Sequence, residues 1–278
     1  MLSALLLVNA WSLAPYNHIR PTRHAPIIMQ EEADDKPLDM SSLSQRIANI
    51  KAAPEPEVVR LLILDSMCPR QRLQLEAPPP LIESIDYHNC SFVMVGSDPR
   101  TRQPNTHGVE VTVEQRTDAD GGGAIITLAA NRLCEVVGVG EAEGSPWLGR
   151  AGSVRWIDYL NAESPEEQTT EALLERSKAL EELVVDWLKL VRTTGRERSP
   201  KQLERVLSDL GPEIPPVNLP SARALWVAAL INPLPALGVA LEIRPAVLMA
   251  ETAMMRVQVA EMGIRDSIER LGKEGPLF

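Results

Sequence analysis

His107-Gly108-Val109-Glu110-Val111-Thr112-Val113-Glu114-Gln115 alternates apolar with polar side chains. In an extended chain that puts Val109, Val111 and Val113 on one face and Glu110, Thr112 and Glu114 on the other, so one face suits a core and the other water. Downstream, Asp118-Ala119-Asp120-Gly121-Gly122-Gly123 supplies a flexible turn into Ala124–Leu128, and a further apolar segment, Leu133–Val139, follows Asn131-Arg132. Upstream, Val58–Leu64 is nearly all apolar, Leu73 and Leu75 alternate with polar residues, and Phe92–Val95 is apolar throughout. The pattern predicts about six strands over residues 58–162, with one short helix at Pro80–Tyr87.

The period then changes from two to 3.6. Ser164-Pro165-Glu166-Glu167 reads as a capping box that starts a helix, and Leu173, Leu180, Val184, Trp187 and Val191 form the apolar stripe that follows. Ser199-Pro200-Lys201-Gln202 repeats the cap arrangement ahead of Leu203, Val206, Leu207 and Leu210. Leu225–Ile231 predicts a third helix stopped by Pro233 and Pro235, and Pro245–Leu271 a last long one. The fold class expected is α+β: a β-rich domain over 58–162 followed by a helical bundle over 163–278.

Charge narrows the functional classes. The chain has 28 Lys and Arg against 38 Asp and Glu, a net charge of −10. Residues 1–30 hold Arg20 and Arg23 and no acid, so the remainder carries 26 against 38, or −12. So acidic a body repels a phosphate backbone, and nucleic acid is not expected as a partner. No apolar run approaches the length of a membrane span. Residues 1–30 read as a targeting presequence: a short apolar run at Ala4–Val8, small residues at Val8-Asn9-Ala10, then an acid-free basic stretch. Asn9-Ala10-Trp11-Ser12-Leu13-Ala14-Pro15 resembles the bipartite leader of proteins imported into complex plastids, which implies a plastid (chloroplast) location; the alternative is simple secretion. Residues 31–57, acidic and then punctuated by Pro37, Pro54 and Pro56, read as a flexible linker.

No chemistry volunteers. The Gly-rich stretches 121–123 and 138–152 contain no Lys, so no phosphate-binding loop is present, and neither Ser145 nor Ser153 sits in a nucleophile elbow. Cys68, Cys90 and Cys134 are odd in number and widely spaced, which builds neither a disulfide framework nor a zinc site and favours buried free thiols. His88 and His107 read as loop or edge residues. Met249, Met254, Met255 and Met262 lie at helical spacing and read first as core filling, with an adaptable apolar binding face as the alternative. Catalytic, cofactor-binding and metal-binding residues are therefore assigned to none, substrate-binding residues are left unassigned, and no enzyme activity or cofactor is expected.

The order of segments resembles the Lon protease N-terminal (substrate-binding) domain family over residues 58 to about 271. Leu61-Leu62-Ile63-Leu64, Cys68-Pro69 and Leu73-Gln74-Leu75-Glu76-Ala77-Pro78 stand where that family has its opening strand, its Phe-Pro and its Leu-x-Ile-Phe-Glu-Pro stretch. Phe92-Val93-Met94-Val95, His107-Gly108-Val109-Glu110-Val111, Asn131-Arg132-Leu133 and Ser153-Val154-Arg155-Trp156-Ile157-Asp158 follow in family order. Leu225-Trp226-Val227-Ala228-Ala229-Leu230-Ile231-Asn232-Pro233-Leu234, with Ala240-Leu241-Glu242 behind it, is the segment most similar to the family pattern. The resemblance implies a PUA-like β domain and a helical bundle acting as a stand-alone organellar, non-catalytic module for unfolded or client proteins, with an ATP-dependent protease as candidate partner. RNA binding is the alternative, since PUA-like folds often bind RNA. Trp226 is expected to anchor the bundle, and apolar peptide to lodge between the β domain and the helices.

Overall fold

The computed structural model describes residues 55–88, 91–98, 100–142, 148, 150–157 and 170–274. The leader, the linker as far as Pro54, Cys90 and the Ser164–Glu167 cap lie outside the described residues. Within them the order is β1 (Glu57–Ile63), β2 (Arg72–Ala77), α1 (Pro79–His88), β3 (Phe92–Ser97), β4 (Pro104–Asp118), β5 (Ala124–Ala142), β6 (Arg150–Ile157), α2 (Glu171–Thr194), α3 (Gln202–Leu210), α4 (Pro220–Ile231), α5 (Arg244–Met249) and α6 (Ala253–Glu274). Apart from α1, strands come first and helices after, the α+β arrangement that the change of period predicts.

The strands β5-β4-β3-β1-β6 run side by side and β6 returns to β5, closing a ring; β2 attaches to β5 outside it. β1 and β3 are parallel and the other pairs antiparallel. β5 serves both purposes because its first part, Ala124–Ala129, pairs with β2 and its later part, Leu133–Ala142, pairs with β6. The two strands expected at 124–128 and 133–139 are thus one. Asn131-Arg132, read as the break between them, lies at a register shift opposite Glu110, and Arg132 Nε donates to Glu110 Oε2 at 2.8 Å. A bulge spends the extra residue without ending the strand.

Both faces of the ring are buried. Leu62, Met67, Phe92, Met94, Val109, Val111, Ile126 and Leu128 share a core with Leu81 and Ile82 of α1. A helix covers the outside of so narrow a ring, so the opposite face, with Leu61, Val93, Val95, Cys134 and Val154 wholly buried, is the inside. Closure leaves no room there for side chains at two positions. A Cβ on Gly108 would lie 2.8 Å from the Met94 carbonyl oxygen, and one on Gly152 2.7 Å from Leu61 Cδ1.

Among the helices, α4 is buried along its whole length and packs against α2 and α6. An apolar helix without a polar face belongs at the centre of a bundle. Trp226, at 5% exposure, sits in that core as expected, and Cys68 and Leu133 of the strand region pack into it too. The stripe of α2 is buried at Leu173, Leu180, Val184, Trp187 and Val191.

Helix boundaries differ from expectation at four places. α2 takes Thr170 as its cap, its hydroxyl accepting from Leu173 N at 3.2 Å, and Gly195 ends it at φ 63°. α3 is capped by Glu197, which accepts from Leu203 N at 2.6 Å, while Gln202 reaches back to Arg198 N at 3.0 Å; Ser199 makes no such contact because Lys201 intervenes at φ 59°. The long helix expected over 245–271 is two, broken at Ala250, whose ψ of 128° is extended, and restarted by Thr252, which accepts from Met255 N at 3.2 Å. Pro220 begins α4 five residues ahead of Leu225, since proline at the first helical position needs no amide partner.

Candidate functional site

The strands and helices meet at Cys68-Pro69-Arg70-Gln71-Arg72. Arg70 adopts φ 69°, a left-handed conformation that costs a side-chain-bearing residue about 1–2 kcal/mol. Its N–H donates to Ala130 O at 2.8 Å, and Ala130 N donates to Gln71 O at 2.9 Å, so Arg70 and Gln71 both oppose Ala130 in a bulge at the head of β2.

The bulge turns three successive side chains onto the helices. Arg70 Nη1 donates to Leu210 O at 3.1 Å, placing a cation on the last carbonyls of α3. Gln71 Nε2 donates to Ala229 O at 3.1 Å and Asn232 O at 2.8 Å, the end of α4. Arg72 Nη1 meets Asp209 at 2.6 Å, and its Nε and Nη2 clasp Glu114 of β4 at 2.6 and 3.0 Å. Those bonds hold the Glu114 carboxyl below its usual range. Asn232 continues the network, its amide donating to Leu241 O at 2.9 Å and its oxygen accepting from Ile243 N at 3.2 Å. Nearby, the buried Arg244 pairs with Glu242 at 2.6 Å and Asp65 at 3.3 Å. Burial, partly offset by Arg244, pushes the Cys68 thiol up to about 12.

Beside this junction lies a small, open depression. Its lining is mixed: Val206, Leu210, Ala229, Pro233 and Leu234 supply apolar surface, and Gln71, Arg72 and Asp209 supply nearly as much polar surface. Leu73 and Leu75 of β2, Ile85 of α1 and Leu234 are half-buried against the outer core of the ring, which is therefore unsealed along β2. The junction is tightly stitched, and apolar surface is offered at its margin.

The residues singled out from sequence fall elsewhere. His107 lies inside the sheet, opposite Glu135, rather than at a loop or edge, and Thr106 Oγ1 is 3.1 Å from its Nδ1. His88 closes α1. Cys134 is buried inside the ring, its thiol raised to about 12 by desolvation. Met249, Met255 and Met262 are exposed, and Met254 alone of the four packs against the core. Among the described residues no group of three or more His, Cys, Asp and Glu converges as a metal site, and no helix is long and apolar enough to cross a membrane. Residues 70–72 carried no signal in the sequence, because their partners on the helices lie 137–161 residues away.

No protein-family model and no curated protein sequence matches the chain. Among solved structures it is similar to the N-terminal domain of the Mycobacterium avium complex Lon protease, at 15% identity and a TM-score of 0.49, over 76% of this chain and 99% of that one. It is similar also to a Lon N-terminal domain protein from Xanthomonas campestris, at 15% identity and a TM-score of 0.43, over 73% of this chain and 95% of that one. Both neighbours are Lon N-terminal domains, the family that the order of sequence segments resembles.

Proposed function

We propose that this chain is a non-catalytic, Lon N-terminal-type module that binds unfolded or apolar protein segments in organellar proteostasis. The observation that carries the reading is the unsealed margin at the junction, where Leu73, Leu75, Ile85 and Leu234 leave core surface partly exposed beside a depression of mixed polar and apolar lining. Unfolded segments have no fixed shape, so contact with such a margin is broad and individually weak, with micromolar affinity or about −8 kcal/mol. The exposed Met249, Met255 and Met262 add adaptable apolar surface on the helices. The leader read in residues 1–30 supports a plastid as the compartment, and an ATP-dependent protease is the partner to which bound segments would be passed.

RNA binding is the competing reading. The arginine best placed to stack with a base, Arg132, lies 4.1 Å over the Trp156 ring, yet Glu110 holds its guanidinium and Glu57 holds the indole N–H at 2.6 Å. Those carboxylates oppose a phosphate backbone. The test titrates a fluorescent unfolded peptide and a single-stranded RNA into the full chain at roughly 50 and 200 mM salt. Peptide binding that salt barely weakens is expected, whereas contact with six or more phosphates would lose about 10³-fold or more over that range. Salt-sensitive RNA binding without peptide binding would reverse the assignment.

A further inference from the structure

β2 is an edge strand: among the described strands it pairs with β5 and with no other. The bulge determines which of its backbone groups are spare. Ala130 exchanges hydrogen bonds with the Arg70–Gln71 bulge. Bonded pairs in an antiparallel ladder recur every second residue, so Leu73, Leu75 and Ala77 bond to Leu128, Ile126 and Ala124. Arg72, Gln74 and Glu76 therefore turn their N–H and C=O groups away from β5, along about 14 Å of open edge.

Sheets usually guard such edges with charges, prolines or bulges. Here the guards stand at the two ends. The Arg70 bulge opens the edge, Pro78-Pro79-Pro80 closes it, and Arg72 is tied sideways to Glu114 and Asp209. Gln74 and Glu76 are exposed between them. On the core-facing side of the same edge lie Leu73 and Leu75, with Ile85 and Leu234 beside the same unsealed core.

We propose that the open edge of β2 receives an extended polypeptide segment as an added strand, one whose alternate residues are apolar. The inference rests on the reading of the chain as a binder of protein segments and specifies how that binding is done. The spare N–H and C=O groups require a partner with the same backbone geometry, which an extended chain has and a helix lacks. A strand laid there turns every second side chain toward Leu73 and Leu75, sealing the core margin, and the others toward water. Main-chain bonding accepts many sequences, while the apolar margin selects for alternation.

The experiment uses the full chain and a short fluorescent peptide alternating Val with Ser. Two further probes are the same peptide N-methylated at every second amide, in each of the two registers, and the variant Gln74→Pro, which removes an outward N–H where an edge tolerates proline. The alternating peptide should bind, N-methylation in one register should weaken binding about tenfold, and Gln74→Pro should do the same. In the wild type, bound peptide should slow hydrogen exchange at the Gln74 and Glu76 amides. Should Gln74→Pro fail to fold, the N-methylated peptides and the exchange measurement decide the matter alone. Peptide binding indifferent to N-methylation, with no change of exchange along β2, overturns the added strand and leaves the protein-segment reading standing. No binding of any peptide overturns both. Protection of the β2 amides that rises with protein concentration in the absence of peptide, together with a dimer in sedimentation, also overturns the proposal and assigns the edge to a second copy of the chain.

Discussion

The side-chain amide of Gln71 donates to the Asn232 carbonyl at 2.8 Å, across 161 residues of sequence, while its own oxygen accepts from Cys68 N at 2.9 Å. With Ala229 O at 3.1 Å as a second acceptor, the amide has one orientation that satisfies every partner. Gln71→Ala should therefore cost about 3 kcal/mol, since it strands buried groups on both sides of the junction. Gln71→Glu should fare no better, because its carboxylate oxygen would face two carbonyls. Urea unfolding of both variants checks this; a loss under about 1 kcal/mol would show that the junction holds without the amide.

The two core tryptophans should respond differently to the same change. Trp187 Nε1 donates to Ser267 Oγ at 2.8 Å, which in turn donates to Val239 O at 2.9 Å. Trp226 Nε1 is buried without a partner among the described residues. Trp226→Ala should cost about 3–5 kcal/mol for the cavity it leaves. Replacement by Phe should cost about 1–3 kcal/mol more at 187 than at 226, because only there is a bonded donor lost. Equal melting temperatures for the two Phe variants would contradict the relay.

Acid should weaken the fold through His107. Burial holds its imidazole below the ordinary value of 6.5; Glu135 opposes that shift and Arg256 adds to it. Below 6.5 the unfolded chain binds the proton more readily than the folded one, so stability rises with pH in that range. This contribution is intact above 6.5 and is lost progressively as pH falls beneath it. Comparing His107→Gln with wild type in denaturant titrations from about pH 7 to 5 isolates the effect. The wild type should lose more stability over that interval, and parallel profiles would remove His107 as the cause.

Ring closure predicts a contrast between glycines. A Cβ at Gly108 meets backbone and two valine side chains at 2.8 Å, whereas one at Gly138 meets its nearest neighbour at 3.9 Å. Gly108→Ala should destabilise by roughly 1–3 kcal/mol and Gly138→Ala should stay within about 0.5 kcal/mol of wild type. Thermal melts of the two variants, should they agree, would show that the ring has more room than its packing displays.

Much of this was legible residue by residue. The alternation at 107–115 is β4, and the Leu173-to-Val191 stripe is the buried face of α2. What escaped were features whose causes are distant or local to the backbone. Asn131-Arg132 read as a break because a bulge leaves the same polar signature as a turn, and Glu110, which accommodates it, lies on another strand. Ser199 had the right chemistry for a cap, but the left-handed Lys201 hands that role to Glu197. The methionines could not be sorted by helical spacing once Ala250 divided their helix. At the junction, Arg70, Gln71 and Arg72 look like ordinary polar residues until residues 209–232 have been brought beside them.

The ring also sets a timetable for the newborn chain. Its first strand pairs with its last, Glu57 against Val154, so β1 lacks that neighbour until nearly a hundred residues more have been made. At roughly 5–20 residues per second, that is about 5–20 s of translation. The Gln71–Asn232 bond must wait through 161 residues, about 8–30 s at the same pace. The newborn chain thus passes through an extended state of its own, its earliest strands in need of shelter before its helices arrive.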